Sequence, residues 1–269
     1  MAEQRITPIA IWPGLEDGVP KPIMPYSPAI RLGDWVFIAG QLASDFKTGV
    51  PKELIPKSGG GSTGLQLQSD FIFKNMAQTV QAAGANMRTD TVKLWEWFVS
   101  NKPDAQDIAS GNNAHDVDIN TYERSLHQAF DNKCPSRSSI GIKELMWVGT
   151  KIELEVMCLT TEDKTTYYNL DSDPEKPGAL RKGDWVFISN QNPENNKGET
   201  PESLEAQFDV VMSKITELSE RSGSSLENAV KAEVFISHPN DFIAIDQLWK
   251  KWFPNNPPAR FVLPRSAMQ

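Results

Sequence analysis

One word occurs twice in this chain, and it constrains the architecture more than any other feature. Residues 31–41 read Arg-Leu-Gly-Asp-Trp-Val-Phe-Ile-Ala-Gly-Gln, and residues 181–191 read Arg-Lys-Gly-Asp-Trp-Val-Phe-Ile-Ser-Asn-Gln. Eight of the eleven positions are identical, far beyond chance for a word containing tryptophan. Each copy reads as a Gly-Asp turn running into a short buried strand, Trp-Val-Phe-Ile.

The rest of the unit repeats more loosely. Phe71, Ile72, Met76, Val80 and Ala83 follow helical spacing, and so do Phe208, Val211, Met212, Ile215 and Leu218. A glycine follows each set, Gly84 and Gly223, as a helix stop. A strand pattern comes next, at 92–99 and 230–236, then a second helix over 120–130 and 243–253. Pro135-Ser136-Arg137 and Pro258-Ala259-Arg260 open matching segments. A period of about 125–150 residues is a domain duplication, since solenoid repeats are much shorter. The pattern predicts an α+β fold with two tandem domains, each a mixed sheet with helices on one face. The expected bounds are 1–160, a linker at 161–177 rich in Asp, Glu, Lys, Thr and Pro, and a shorter second domain at 178–269.

The halves are unequal. After Arg137 the first half continues into 151–157, where polar and apolar residues alternate as in a half-buried strand. The second half ends within nine residues of Arg260 and has no counterpart to that stretch. Its sheet either lacks the strand or borrows another segment, such as the apolar residues 6–11. The glycine-rich residues 56–64 read as a mobile loop. No Gly-Lys-Ser/Thr follows at the spacing of a phosphate-binding loop.

Composition narrows the function. Apolar residues make up 39%, with eight Trp and twelve Phe, enough to fill a core. The net charge of −8 opposes generic nucleic-acid binding, which needs clustered Lys and Arg. No apolar run reaches membrane-spanning length, and the N-terminus shows no signal-peptide pattern. Two cysteines, Cys134 and Cys158, exclude a disulfide framework and point to a reduced, cytoplasmic setting. His115, His127 and His238 have no metal-ligand spacing, so no metal is expected.

A set of words in fixed order then resembles a known family. Pro25-Tyr26-Ser27-Pro28-Ala29 leads into the strand word ending Ala39-Gly40-Gln41; Ala83-Gly84-Ala85 precedes a strand; Pro135-Ser136-Arg137-Ser138-Ser139 precedes Lys151-Ile152-Glu153-Leu154-Glu155. This is similar to the Rid (YjgF) family of reactive intermediate deaminases, over 25–158 and, more weakly, 178–264. The resemblance implies a chorismate-mutase-like α+β fold, and trimers with sites in clefts between neighbouring domains. It implies hydrolysis of enamines and imines of carboxylic acids, releasing ammonia, without cofactor.

The resemblance also implies roles. Arg137 would bind the substrate carboxylate, for which a planar guanidinium is well suited. Glu153 would orient water and move protons. Tyr26 and Asn120 would handle water and substrate, and Ser139 and Gly40 would line the substrate site. The plain readings are a salt bridge for Arg137, a solvated sheet face for Glu153 and Glu155, a half-buried aromatic for Tyr26 and a helix N-cap for Asn120. Cys134 reads as a small core residue. Trp95 and Trp97 face one way along a strand, as core packing or as an aromatic cleft wall. In the second half Arg260 is retained, the Tyr26 position falls near Gly178, and the Asn120 position falls on Asp246. That half is expected to be degenerate.

The leading expectation is a deaminase of small carboxylated molecules, of 2-aminoacrylate or 2-aminomuconate type. A non-catalytic binding or chaperone-like module is the alternative, favoured if Arg137 and Glu153 do not share a cleft. An endoribonuclease fits the charge poorly. A homo-oligomer is expected: three chains bring six domains, enough to close threefold arrangements.

Overall fold

The computed structural model describes residues 6–14, 16, 18–56, 63–100, 119–170, 177–195 and 197–265. Most of the glycine-rich loop, His115, the connection at 101–118 and part of the expected linker, 171–176, lie outside them.

The first repeat runs β1 (Ile9–Ile11), β2 (Ala29–Leu32), β3 (Trp35–Ile38), β4 (Gln41–Leu42), α1 (Gly64–Ala82), α2 (Met87–Asp90), β5 (Thr91–Val99), α3 (Ile119–Phe130), β6 (Ser136–Ile142) and β7 (Ile152–Leu159). Its strands form one mixed sheet in the order β1-β2-β3-β7-β5-β6, with β4 also pairing β7. The pairing of β5 with β6 is parallel, and β7 runs antiparallel to β3 and β5. Strand β7 is therefore the keystone, joining the N-terminal and C-terminal halves of the sheet. Helices α1 and α3 pack over one face. Phe73, Phe98, Tyr122 and Phe130 are buried there in ring contacts with centroids 5.0–6.0 Å apart. Each such side chain contributes about 1.5–3 kcal/mol by leaving water.

The second repeat runs β8 (Thr166–Tyr168), β9 (Ala179–Lys182), β10 (Trp185–Ile188), α4 (Leu204–Arg221), β11 (Lys231–Ile236), α5 (Phe242–Trp252) and β12 (Ala259–Pro264). Strand β8 lies inside the segment expected to be a linker. It pairs with β9 in the register that β1 adopts on β2: Thr166 opposes Arg181 as Ile9 opposes Arg31. The unit thus starts before 178, and β1 belongs to the first repeat. Among the described residues no strand corresponds to β7. The consequence is direct: the second repeat has a three-stranded sheet, β10-β9-β8, and a separate parallel pair, β11-β12.

The repeated word has a structural reason. Arg31 Nη1 donates to Ala83 O (2.7 Å) and Gly84 O (3.1 Å), capping the end of α1. Arg181 Nη1 does the same for α4 through Ser222 O (2.8 Å) and Gly223 O (3.2 Å). Both capping glycines have positive φ, 72° and 75°. A Cβ there would also press on the arginine, at 3.0 and 2.9 Å. A cation at a helix C-terminus is favourable in itself.

The repeats meet along the outer edge of β6. Asn190 N donates to Arg137 O (2.7 Å), Arg137 N to Ser189 Oγ (3.0 Å) and Ser139 N to Asn190 Oδ1 (3.2 Å). On the sheet face away from the helices, Trp95 Nε1 donates to Glu233 Oε2 (2.7 Å), and Trp97 meets Phe235 edge-on at 6.3 Å. The two tryptophans are packing between repeats.

Candidate active site

The expected site residues fall into two groups on opposite faces of one sheet. Strand register decides this. Arg137 is opposite Leu94 and Ser139 opposite Glu96, and these side chains face the helices. Glu153 is opposite Trp97, on the other face. Within one repeat Arg137 and Glu153 cannot line a common cleft.

The first group is a buried ion network. Arg137 is 8% exposed and Glu96 0%. Arg137 Nε donates to Glu96 Oε1 (2.8 Å) and Nη2 to Glu96 Oε2 (3.3 Å). The guanidinium also donates to both oxygens of Glu123, at 2.8 and 3.1 Å. Tyr122 donates its hydroxyl proton to Glu96 at 2.6 Å, and the Ser139 hydroxyl donates to the same carboxylate. Burial works against the Arg137 charge, but Glu96, Tyr122 and Glu123 outweigh it and hold its pKa well above the ordinary value. Burial, then the Glu96 charge, raises the Tyr122 pKa well above its ordinary value. Two carboxylates already occupy the guanidinium expected to receive a substrate carboxylate.

Asn120 is not part of this network. It is exposed in the first turn of α3, and the residue that reaches Arg137 is Glu123, almost one turn later. Glu96 and Glu123 were both missed. The signals were there: Glu96 is the one carboxylate of β5, set between Trp95 and Trp97. Glu123 stands fourteen residues before Arg137, as Asp246 stands fourteen before Arg260.

The second group is Tyr26, Gly40 and Glu153. Gly40 follows β3, and a Cβ added to it would collide with the Glu153 carboxylate. Absence of a side chain at Gly40 is therefore what gives the carboxylate its place. Burial, then the neighbouring Glu155 charge, raises the Glu153 pKa. Burial, then the Glu153 charge, raises that of Tyr26. A cavity of about 20 Å³, room for one water, is lined by Tyr26, Gly40, Gln41 and Asn75 among others. A carboxyl that holds its proton more tightly than usual, near a phenol, is equipped for proton transfer.

Arg260 on β12 repeats part of the first group. Its Nη2 donates to Asp246, and its guanidinium lies 4.8 Å from the Trp249 ring centre. Cys134 and Cys158 are buried and joined in no disulfide, and burial pushes Cys158 up to about 12. Among the described residues no cluster of three His, Cys, Asp or Glu could hold a metal, and no helix is long and apolar enough to cross a membrane.

The family model described as endoribonuclease L-PSP matches residues 17–160 and again 176–269. The chain belongs to this family. It is a tandem member of the Rid (YjgF) proteins, with the α+β fold expected. A 2-iminobutanoate/2-iminopropanoate deaminase of Dermatophagoides farinae is 30% identical over 137 residues, 51% of this chain and 86% of that protein. The mitochondrial protein mmf2 of Schizosaccharomyces pombe is 29% identical over 30% of this chain; the alignment spans 65% of its length, under two thirds. The E. coli TdcF structure with bound serine is 24% identical, with a TM-score of 0.40, and covers 57% of this chain and 99% of that one. In this Rid chain the first repeat carries the fuller set of family words.

Proposed function

We propose that the chain is a cofactor-independent hydrolase that deaminates enamines and imines of carboxylic acids, of 2-aminoacrylate or 2-aminomuconate type. The observation that carries this reading is the Glu153 carboxyl placed over Gly40 and near enough to Tyr26 for its charge to raise the phenol pKa. In the proposed step, Glu153 takes a proton from water as the water oxygen bonds to the imine carbon. It returns that proton to nitrogen, giving a carbinolamine; it then carries the hydroxyl proton of the carbinolamine to nitrogen, the carbon–nitrogen bond breaks, and ammonia leaves as the carbonyl forms.

The cleft over Gly40 is proposed to be completed by a second copy of the chain. The internal contact is the template. In it the arginine strand of repeat one, β6, lies against Ser189–Asn190, the residues that match Ala39–Gly40. The other two edges remain: β12 with Arg260, and Ala39–Gly40. They are complementary by the same relation, so copies would join head to tail.

The separation of Arg137 from Glu153 also favours a second reading, a non-catalytic binding module. Ammonia release from freshly generated 2-aminoacrylate and from 2-aminomuconate, by wild type and Glu153→Gln, decides. Acceleration by wild type alone supports the deaminase. Equal rates with and without protein reject it for these compounds and leave the binding module.

A further inference from the structure

We infer that the small cavity between α1 and the proline-rich strap at 19–28 binds one ammonium ion, which takes the place that the Lys214 ammonium fills in repeat two. The inference goes beyond the deaminase reading and does not depend on it, although ammonia is what the proposed reaction releases.

Comparison of the repeats locates the site. Asn75 stands nine residues before the helix-stop glycine Gly84, and Lys214 stands nine before Gly223. The two thus hold one place on equivalent helices, α1 and α4. Leu42 and Asn192 are matched in the same way, each following the glutamine that ends the repeated word. In repeat two the Lys214 ammonium donates to the backbone oxygen of Asn192 and to its Oδ1, both at 3.2 Å. A primary ammonium is held there by neutral oxygens. In repeat one the lysine is replaced by asparagine, which is shorter and carries no charge. The cavity of about 20 Å³ is lined by the two matched residues, Leu42 and Asn75.

The lining carries polar groups that the chain leaves unused. Asn75 is 5% exposed, and among the described residues its side-chain amide has no hydrogen-bond partner. The Tyr26 hydroxyl has none either. Gln41 spends its amino group on Thr79 Oγ1 (3.3 Å) and keeps its carbonyl oxygen unpaired. Ser44 Oγ, fully buried, accepts from Phe46 N (3.0 Å) and retains a second lone pair. A buried amide without a partner is costly, so a small polar guest is favoured beside Asn75.

Size and charge select the guest. The space fits one molecule as small as water, and ammonium is close to water in size. Pro20, Pro22 and Pro28 wall it on the strap side, and their fixed φ keeps the wall from collapsing inward. No Asp or Glu lines it, so a divalent ion would lack the charge it needs. Two observations favour a cation over a plain water. Lys214 places a cation at the matched position, and the Glu153 charge reaches Tyr26 at the cavity wall. Tyr26 is half-buried, so the space lies one side chain from solvent.

Thermal melting of the full chain without substrate tests the site. Ammonium chloride is the probe, compared with sodium chloride and tetramethylammonium chloride at equal ionic strength. Wild type should show a saturable rise in Tm of about 2 °C or more with ammonium alone. Tetramethylammonium is too large for the cavity and has no N–H to donate. In Asn75→Lys the chain supplies its own ammonium, as repeat two does, so ammonium should act no differently from sodium. Asn75→Leu removes the amide at similar volume and should lose most of the rise. Equal melting of wild type in the three salts, or a rise that never saturates, would mean a water-filled cavity or a general salt effect and would overturn the inference. An undiminished rise in either variant would overturn it too. The comparison of salts on wild type stands even where a variant fails to fold. An ammonium-specific rise with no deamination by wild type would sustain the site and reject the deaminase reading; deamination with no such rise would do the reverse.

Discussion

Arg137 and Glu96 sit on adjacent parallel strands with Arg137 Nε donating to Glu96 Oε1 at 2.8 Å, and Glu96 is fully buried. A carboxylate of the chain thus occupies the arginine that the family words mark as a carboxylate binder. The same carboxylate accepts from Tyr122 and Ser139, and the backbone of Arg137 is bonded to Ser189 and Asn190. In this chain the Arg137 cluster holds strand, helix and second repeat together.

Glu96→Gln should therefore be a stability variant. Removing one partner leaves a buried guanidinium poorly compensated, at a cost of about 3–5 kcal/mol. Urea unfolding of wild type and variant measures it. A loss below about 1 kcal/mol would mean that the network is solvated and contributes as little as a surface pair.

Glu153→Gln should lower kcat/KM by about 10²–10⁴-fold, the range for a proton-transfer group. The wild-type rate should switch on only at a pH above the ordinary carboxyl range, because Glu153 must be ionised to take the proton of water and burial, then Glu155, raises its pKa. The sign for stability is opposite to that of a paired carboxylate. A raised pKa means that the folded state binds the proton more tightly, so stability falls as pH rises through that window. The Gln variant should lose that part of the fall, and parallel stability curves for the two proteins would refute the assignment.

Lys93 gives a second pH signature. Its ammonium donates to Ile188 O (3.1 Å) at the contact between repeats. Burial lowers its pKa from 10.5 to about 8, against the pull of Glu233 and Glu96. Between those values the unfolded chain binds more protons, so stability should rise as pH climbs from 8 toward 10.5. The full effect is roughly 3 kcal/mol. Lys93→Met should flatten this rise in urea unfolding measured from pH 7 to 10; an equal rise in both proteins would show that other groups cause it.

Mixing two weakened variants tests the shared cleft. Arg260→Lys spoils one side of the proposed cleft and Glu153→Gln the other. Random reassembly of equal amounts leaves about a quarter of the clefts with both sides intact. Deaminase activity should recover to about that level after mixing. Activity no greater than the mean of the two separate variants would place the whole site within one copy.

The sequence alone determined the duplication, the order of elements and the unequal halves. These rest on local signals: a repeated word, apolar spacing, and helix stops at Gly84 and Gly223. It also marked Arg137, Gly40 and Glu153 as special. Which of them meet was decided by the tertiary structure. Strand register put Arg137 on the helix face and Glu153 on the other, and a one-residue change of register would have exchanged them. The partners of Arg137 come from 41 and 14 residues away in the chain, Glu96 and Glu123, and no local pattern couples those distances. The strand at 166–168 was hidden because it is only three residues long and none of them is buried, so pairing with β9 rather than burial makes it a strand. Local chemistry is written in the order of residues; charge pairing across a sheet exists only once the sheet has closed.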